Sequence, residues 1–179
     1  MDTLRKAHEI TSVSAVQNIY SMVERDCEKV IFPYCLENRI GVVPFSPISS
    51  GLLSGKVTTA TKFEGDDVRN FVPQLSRENI VGNQPILNVL AEFANRKTAS
   101  CAQISLAWMR HKYPNVVPIP CSKNQERILE NLEAWNVELT ESEFLELETA
   151  LNSCTVYGHR GYMESEQRTF SNNWIKTNR

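Results

Sequence analysis

The sequence predicts an α/β fold built from parallel βα units. Two observations carry this. Three short runs, 13–17, 41–45 and 115–120, are apolar throughout rather than alternating, as in strands covered on both faces, and each is followed by a polar loop and a helical pattern. Three such units do not close a barrel, so an open arc is expected.

Leu4, Ala7, His8 and Ile10 recur at helical spacing in an opening helix of about two turns. It reads like the tail of a longer helix. The run Val13-Ser14-Ala15-Val16-Gln17 follows as the first strand, with Gln17 and Asn18 as its polar carboxyl end. Asp26 is the expected N-cap of a helix through Cys27, Val30, Ile31, Tyr34 and Cys35, with Pro33 in its first two turns and Gly41 as a stop signal. The second strand, Gly41-Val42-Val43-Pro44-Phe45, runs into a segment too rich in Ser, Pro and Gly for regular structure, and residues 57–74 show no period.

Ser76 with Asn79 opens a helical pattern through Ile80, Ile86, Leu87, Leu90 and Phe93, interrupted at Gly82 and restarted near Pro85. Ser100 caps the next helix. Asn115 to Pro120 is the third strand, after which Ser122 or Asn124 starts a helix through Ile128 and Leu132. Thr140 and Glu143 form a capping box ahead of Phe144, Leu147 and Leu151. These units make one domain over 1–155; the remainder, 156–179, is a tail without period that covers something or frays.

Composition is that of an ordinary globular chain, with 179 residues, 41% hydrophobic and 22% charged. Basic and acidic residues are mixed and sum to −2, so no cationic field points to nucleic acid or an anionic membrane. No apolar stretch approaches the roughly 20 residues of a membrane span, and the start has no secretory core, so a cytoplasmic location is expected. Five scattered cysteines without a CxxC pair argue against a disulfide framework or structural zinc. They, Cys121 included, read as reduced packing residues. His8, His111 and His159 have no partner pattern and receive no catalytic role.

In parallel βα architectures ligands lie at the carboxyl ends of the strands, where helix N-termini converge. Here those ends are Gln17-Asn18, residues 45–56 and residues 121–131. The second offers an aromatic ring, small residues that let backbone approach a ligand, and Lys56, which together suit a planar ring and a diphosphate. The third puts Ser122, Lys123 and Arg127 at a helix start, as a phosphate monoester requires. On the residues alone, the same loop also fits a plain connection, the same cations a solvated surface, and Gln17 a satisfied strand end.

Three blocks then resemble the aldo-keto reductase family in order and spacing. They are 13–21, residues 41–56, and Pro118-Ile119-Pro120-Cys121-Ser122 leading to Glu130-Asn131-Leu132. The resemblance implies a partial TIM (β/α)8 barrel, roughly its last three βα units, that binds extended NADP(H) without a Rossmann fingerprint. It implies that Gln17 bonds the nicotinamide carboxamide and that Phe45, where the family commonly has tyrosine, stacks on the ring. Ser46, Pro47, Ile48, Gly51, Leu52 and Lys56 would hold the diphosphate. Ser122, Lys123 and Arg127 would meet the adenosine 2′-phosphate, with Glu130 and Asn131 at the adenine.

Cys121 stands where the family has glycine; a positive φ there would cost on the order of 1 kcal/mol. The family's Asp, Tyr, Lys and His tetrad falls on its first four units and is expected to be missing here, since the chain begins in what resembles the helix after the fifth strand. The resemblance therefore implies a truncated oxidoreductase, inactive alone toward a small carbonyl substrate, that would pair with a complementary N-terminal half or self-associate. A non-catalytic nucleotide-binding or interaction module, and a decayed gene product, are the other readings.

Overall fold

The computed structural model describes residues 1–161. Helix α1, Asp2–Ile10, leads to strand β1, Ala15–Ile19; helix α2, Cys27–Glu37, leads to β2, Gly41–Phe45. The two strands are parallel, with Gln17 opposite Val43 and Ile19 opposite Phe45. β1 thus runs two residues further than the sequence suggested, and Gln17 lies at its middle rather than its end. The polar pair does not stop the strand because pairing continues, Tyr20 N–H reaching Phe45 C=O.

The expected third strand lies against β2 in parallel. Val42 N–H donates to Asn115 C=O, Val117 N–H to Val42 C=O, and Ile119 N–H to Pro44 C=O. Only the Val42–Val116 bridge is complete. Pro44 has no N–H to return, so half of the ladder is missing beyond it. On the far edge Pro118 and Pro120 offer no donors either, a pattern suited to a strand at an edge.

After β2, a 3-10 turn at Ser49–Ser54 and two more at Val68–Phe71 and Pro73–Leu75 occupy the aperiodic stretch. Helices α3, Arg77–Gly82, and α4, Gln84–Lys97, are separate, broken at Asn83 as the Gly82 and Pro85 signals required. Helix α5, Cys101–Lys112, has a capping box between Ser100 and Gln103. It is buried all round from Ala102 to Met109, which is why its pattern is not amphipathic. Helix α6, Gln125–Glu133, is capped by Asn124, and α7, Glu141–Asn152, by the expected Thr140–Glu143 box. Asp26 precedes α2 but its carboxylate takes the Lys29 ammonium at 2.8 Å rather than a backbone N–H.

The core lies on one side of the sheet. Tyr20 packs edge-on to Phe32 at 4.6 Å and stacks with Trp108 at 5.7 Å, and Phe32 meets Tyr113 at 4.8 Å. Around this cluster Arg25 and Lys112 bond both Glu28 and Glu148, and Trp108 Nε1 donates to Glu148 at 2.8 Å. The other side of the sheet carries Ala15 and Gln17, exposed, with Phe45, Val117 and Ile119 at 38, 59 and 44% exposure.

Among the described residues no helix is long and apolar enough to cross a membrane, and no group of three His, Cys, Asp or Glu is placed to hold a metal. The five cysteines are free thiols. Cys27 and Cys35 are buried packing residues, whereas Cys121 is exposed, so the packing reading fails for it. The tail lies outside the described residues beyond Gly161.

Candidate functional site

Parallel pairing puts the carboxyl ends of all three extended segments side by side. Phe45 closes β2, Ile119 lies opposite it across the third segment, and Cys121 follows two residues later. Gln17 and Phe45 share the open face of the sheet because both are an even number of residues from their common register line. The Phe45 ring is therefore presented where a planar group could lie on it.

The loop after Phe45 is held in a conformation that side chains rarely adopt. Ser46, Ser49 and Ser50 have φ of 52, 45 and 56°, and Gly51 follows at 100°. Each non-glycine residue there costs about 1 kcal/mol. Buried hydroxyls offset that cost: Ser49 Oγ meets Ser21 Oγ at 3.0 Å, and Ser105 Oγ of α5 donates to Pro47 C=O at 3.3 Å. Sequence reasoning missed both, although a serine between Ile104 and Leu106 on an all-apolar helix was a signal. The Ser46 and Ile48 N–H groups have no hydrogen-bond partner among the described residues, so the loop keeps donors for a ligand.

Lys56, at the far end of the loop, pairs with Glu130 of α6 at 3.0 Å, and Gln103 Nε2 donates to the Glu130 carbonyl at 3.0 Å. Burial opposes ionisation of the Glu130 carboxyl, but the Ser100 hydroxyl and the Lys56 and Arg127 charges outweigh it and hold it below its ordinary range. At the start of α6, Asn124 Oδ1 accepts from Arg127 N–H at 3.0 Å and Ser122 Oγ from Asn124 N–H at 3.1 Å. Lys123 and Arg127 are exposed there, beside the positive end of the helix. Asn131 is half-buried, in the turn of α6 after Glu130. Cys121 is not among the residues with positive φ, so the expected strain from replacing glycine does not arise.

The structure thus brings Phe45, residues 46–56 and the α6 entrance together along one rim. Gln17 lies on the open face below that rim. The exposed ring, the loop donors and the basic helix start all lie at the carboxyl ends of the extended segments. Fold and rim define a parallel α/β protein of the barrel-forming kind.

The sequence profile of the aldo/keto reductase family matches residues 1–152, and the chain belongs to that family. Its fold is similar to that of the glycerol dehydrogenase from Gluconobacter oxydans, with a TM-score of 0.77 at 20% identity over 86% of this chain and 47% of that one. A thermostable aldo-keto reductase solved with the inhibitor epalrestat aligns at 0.58 and 24% identity over 82% and 44%. An aldo/keto reductase from Klebsiella pneumoniae, solved with NADP and acetate, aligns at 0.54 and 18% over 84% and 44%. The chain spans about half the length of these structures, and its small parallel sheet is consistent with part of their barrel.

Proposed function

We propose that this chain is the NADP(H)-holding portion of an aldo/keto reductase, an arc of the last three βα units of a (β/α)8 barrel. The observation that supports it most is the conjunction along one rim of the exposed Phe45 ring, the strained loop with unpaired donors at Ser46 and Ile48, and Lys123 with Arg127 at the start of α6.

In this reading Phe45 stacks on the nicotinamide and Gln17 bonds its carboxamide. Ser46, Pro47, Ile48, Gly51, Leu52 and Lys56 hold the diphosphate. Ser122, Lys123 and Arg127 take the 2′-phosphate where Cys121 leads into α6, and Glu130 and Asn131 meet adenine. NADPH would supply the hydride for reducing an aldehyde or ketone. The acid that protonates the carbonyl oxygen comes from outside these residues, from a complementary N-terminal half whose strands pair with the open edge of β1. Alone, the protein binds the cofactor and turns over no ketone.

Titrating NADPH into the full chain by fluorescence tests this. Saturable binding is expected, with Arg127→Ala weakening NADPH by about tenfold and leaving NADH unchanged. No saturable binding, or ketone reduction by the chain unaided, would sink the reading.

A further inference from the structure

Residues 154–161 fold back onto the body of the protein, and the contacts that fix them are specific. The buried Asn83 side chain, at the break between α3 and α4, bonds Tyr157 twice: Nδ2 donates to its carbonyl at 2.8 Å, and Oδ1 accepts from its N–H at 3.0 Å. Gln74 N–H donates to His159 C=O at 3.2 Å. Gly158 has φ of 70°, and a Cβ there would stand 2.6 Å from Asn79 Nδ2 and 2.9 Å from Gln74 N. The half-buried Glu24 carboxylate accepts the Arg160 backbone N–H. These contacts from three parts of the chain set the path of the strap to within a residue.

The strap delivers one charged group to the rim. Arg160 Nε donates to Ser46 Oγ at 3.0 Å, directly after Phe45. The guanidinium is half-buried and makes no ion pair among the described residues; Glu24 takes its backbone and not its side chain. Its two terminal nitrogens have no hydrogen-bond partner among the described residues. Because Ser46 Oγ accepts from Nε, the serine hydroxyl is left to donate elsewhere. The Ser46 and Ile48 N–H groups in the same loop have no hydrogen-bond partner among the described residues. The Ser46 and Ile48 N–H groups, the serine hydroxyl and the guanidinium, whose charge is met only at longer range by the Glu24 carboxylate among the described residues, make a cluster of donors suited to an anionic oxygen.

We propose that Arg160, held on the strap 154–161, is a binding residue for the diphosphate of the dinucleotide, acting with Ser46. The inference rests on the cofactor reading above, since it takes the 46–48 loop as the diphosphate cradle.

The test titrates three probes into the full chain: NADPH, 2′-phospho-ADP-ribose, which keeps the diphosphate and lacks nicotinamide, and adenosine 2′,5′-bisphosphate, which lacks the diphosphate bridge. Arg160→Gln is expected to weaken the first two by about tenfold or more, the size of a lost charge-assisted hydrogen bond, and to leave the third unchanged. The unchanged third probe also shows that the variant is folded. Gly158→Val, which keeps the arginine but displaces the strap, is expected to produce the same pattern, with little further loss in the double variant. Arg160→Gln binding NADPH within about twofold of the unaltered chain overturns the inference, as would be seen if the guanidinium served a carbonyl substrate's carboxylate instead. Equal weakening of all three probes overturns it too. Failure of the unaltered chain to bind any probe removes the cofactor reading, and this inference with it.

Discussion

The two faces of the small sheet are finished to different degrees. On the helix side Tyr20, Phe32, Trp108 and Val42 are essentially free of solvent, and a four-membered ion-pair cluster closes over them. On the other side Phe45, Val117 and Ile119 stand in water at 38 to 59% exposure. Among the described residues, three of the five positive-φ non-glycine residues, Ser46, Ser49 and Ser50, belong to the rim between the faces. Buried packing is therefore concentrated behind the sheet and the proposed cofactor groups in front of it, so substitutions on the two sides should separate cleanly in what they change.

The sharpest contrast is between two aromatic residues. Trp108 is fully buried, stacked on Tyr20 and flanked by Arg25 and Lys112, so Trp108→Ala is expected to cost about 3–5 kcal/mol in chemical denaturation. Phe45→Ala should cost under about 1 kcal/mol while abolishing most NADPH affinity. Comparable destabilisation by the two would break the division.

Glu148 comes next. It accepts from Trp108 Nε1, Lys112 and Arg25, and its side chain is 16% exposed. Glu148→Ala leaves two cations facing Glu28 alone and should cost about 2 kcal/mol, below the range for a fully buried pair. Burial works against ionisation of Glu148, but the bonds from Lys112, Trp108 and Arg25 prevail and lower its pKa.

A smaller effect is expected at Glu143, whose carboxyl is brought down to about 2, first by the Thr140 backbone N–H and then by Lys97. A depressed folded-state pKa means stability that is present above the ordinary carboxylate value of 4.5 and is lost as pH falls toward 2. In Glu143→Gln, unfolding midpoints measured between pH 5 and 2 should fall less steeply than in the unaltered chain.

How much of this was legible depended on whether the signal was local. The Thr140 box, the break between α3 and α4, and β2 follow from short-range rules, and the structure has them. The end of β1 was misjudged because Gln17 and Asn18 look like a terminus, while pairing with Val43 and Pro44 carries the strand past them. The two segments of the rim, residues 45–56 and 121–131, were readable by their place after the second and third strands. What holds the rim was not: Ser105 under Pro47, Asn83 on Tyr157 and Arg160 on Ser46 join residues 58, 74 and 114 apart. No spacing rule reaches that far, and the tail that carries Arg160 has no period to announce it.

The smallest expected effect is the most direct probe of the open face. Val116 and Val117 are neighbours in the third segment with the same side chain, the same backbone and opposite faces, one 4% and the other 59% exposed. Val116→Thr places a hydroxyl among apolar neighbours and should cost about 1–2 kcal/mol. Val117→Thr exchanges a methyl for a hydroxyl in water and should change stability by under about 0.5 kcal/mol. The difference isolates the face from every other property of the strand. If Val117→Thr proves as costly as Val116→Thr, and its cost grows with protein concentration, that face is buried against another polypeptide in solution, and the contrast between the two sides belongs to the isolated chain alone.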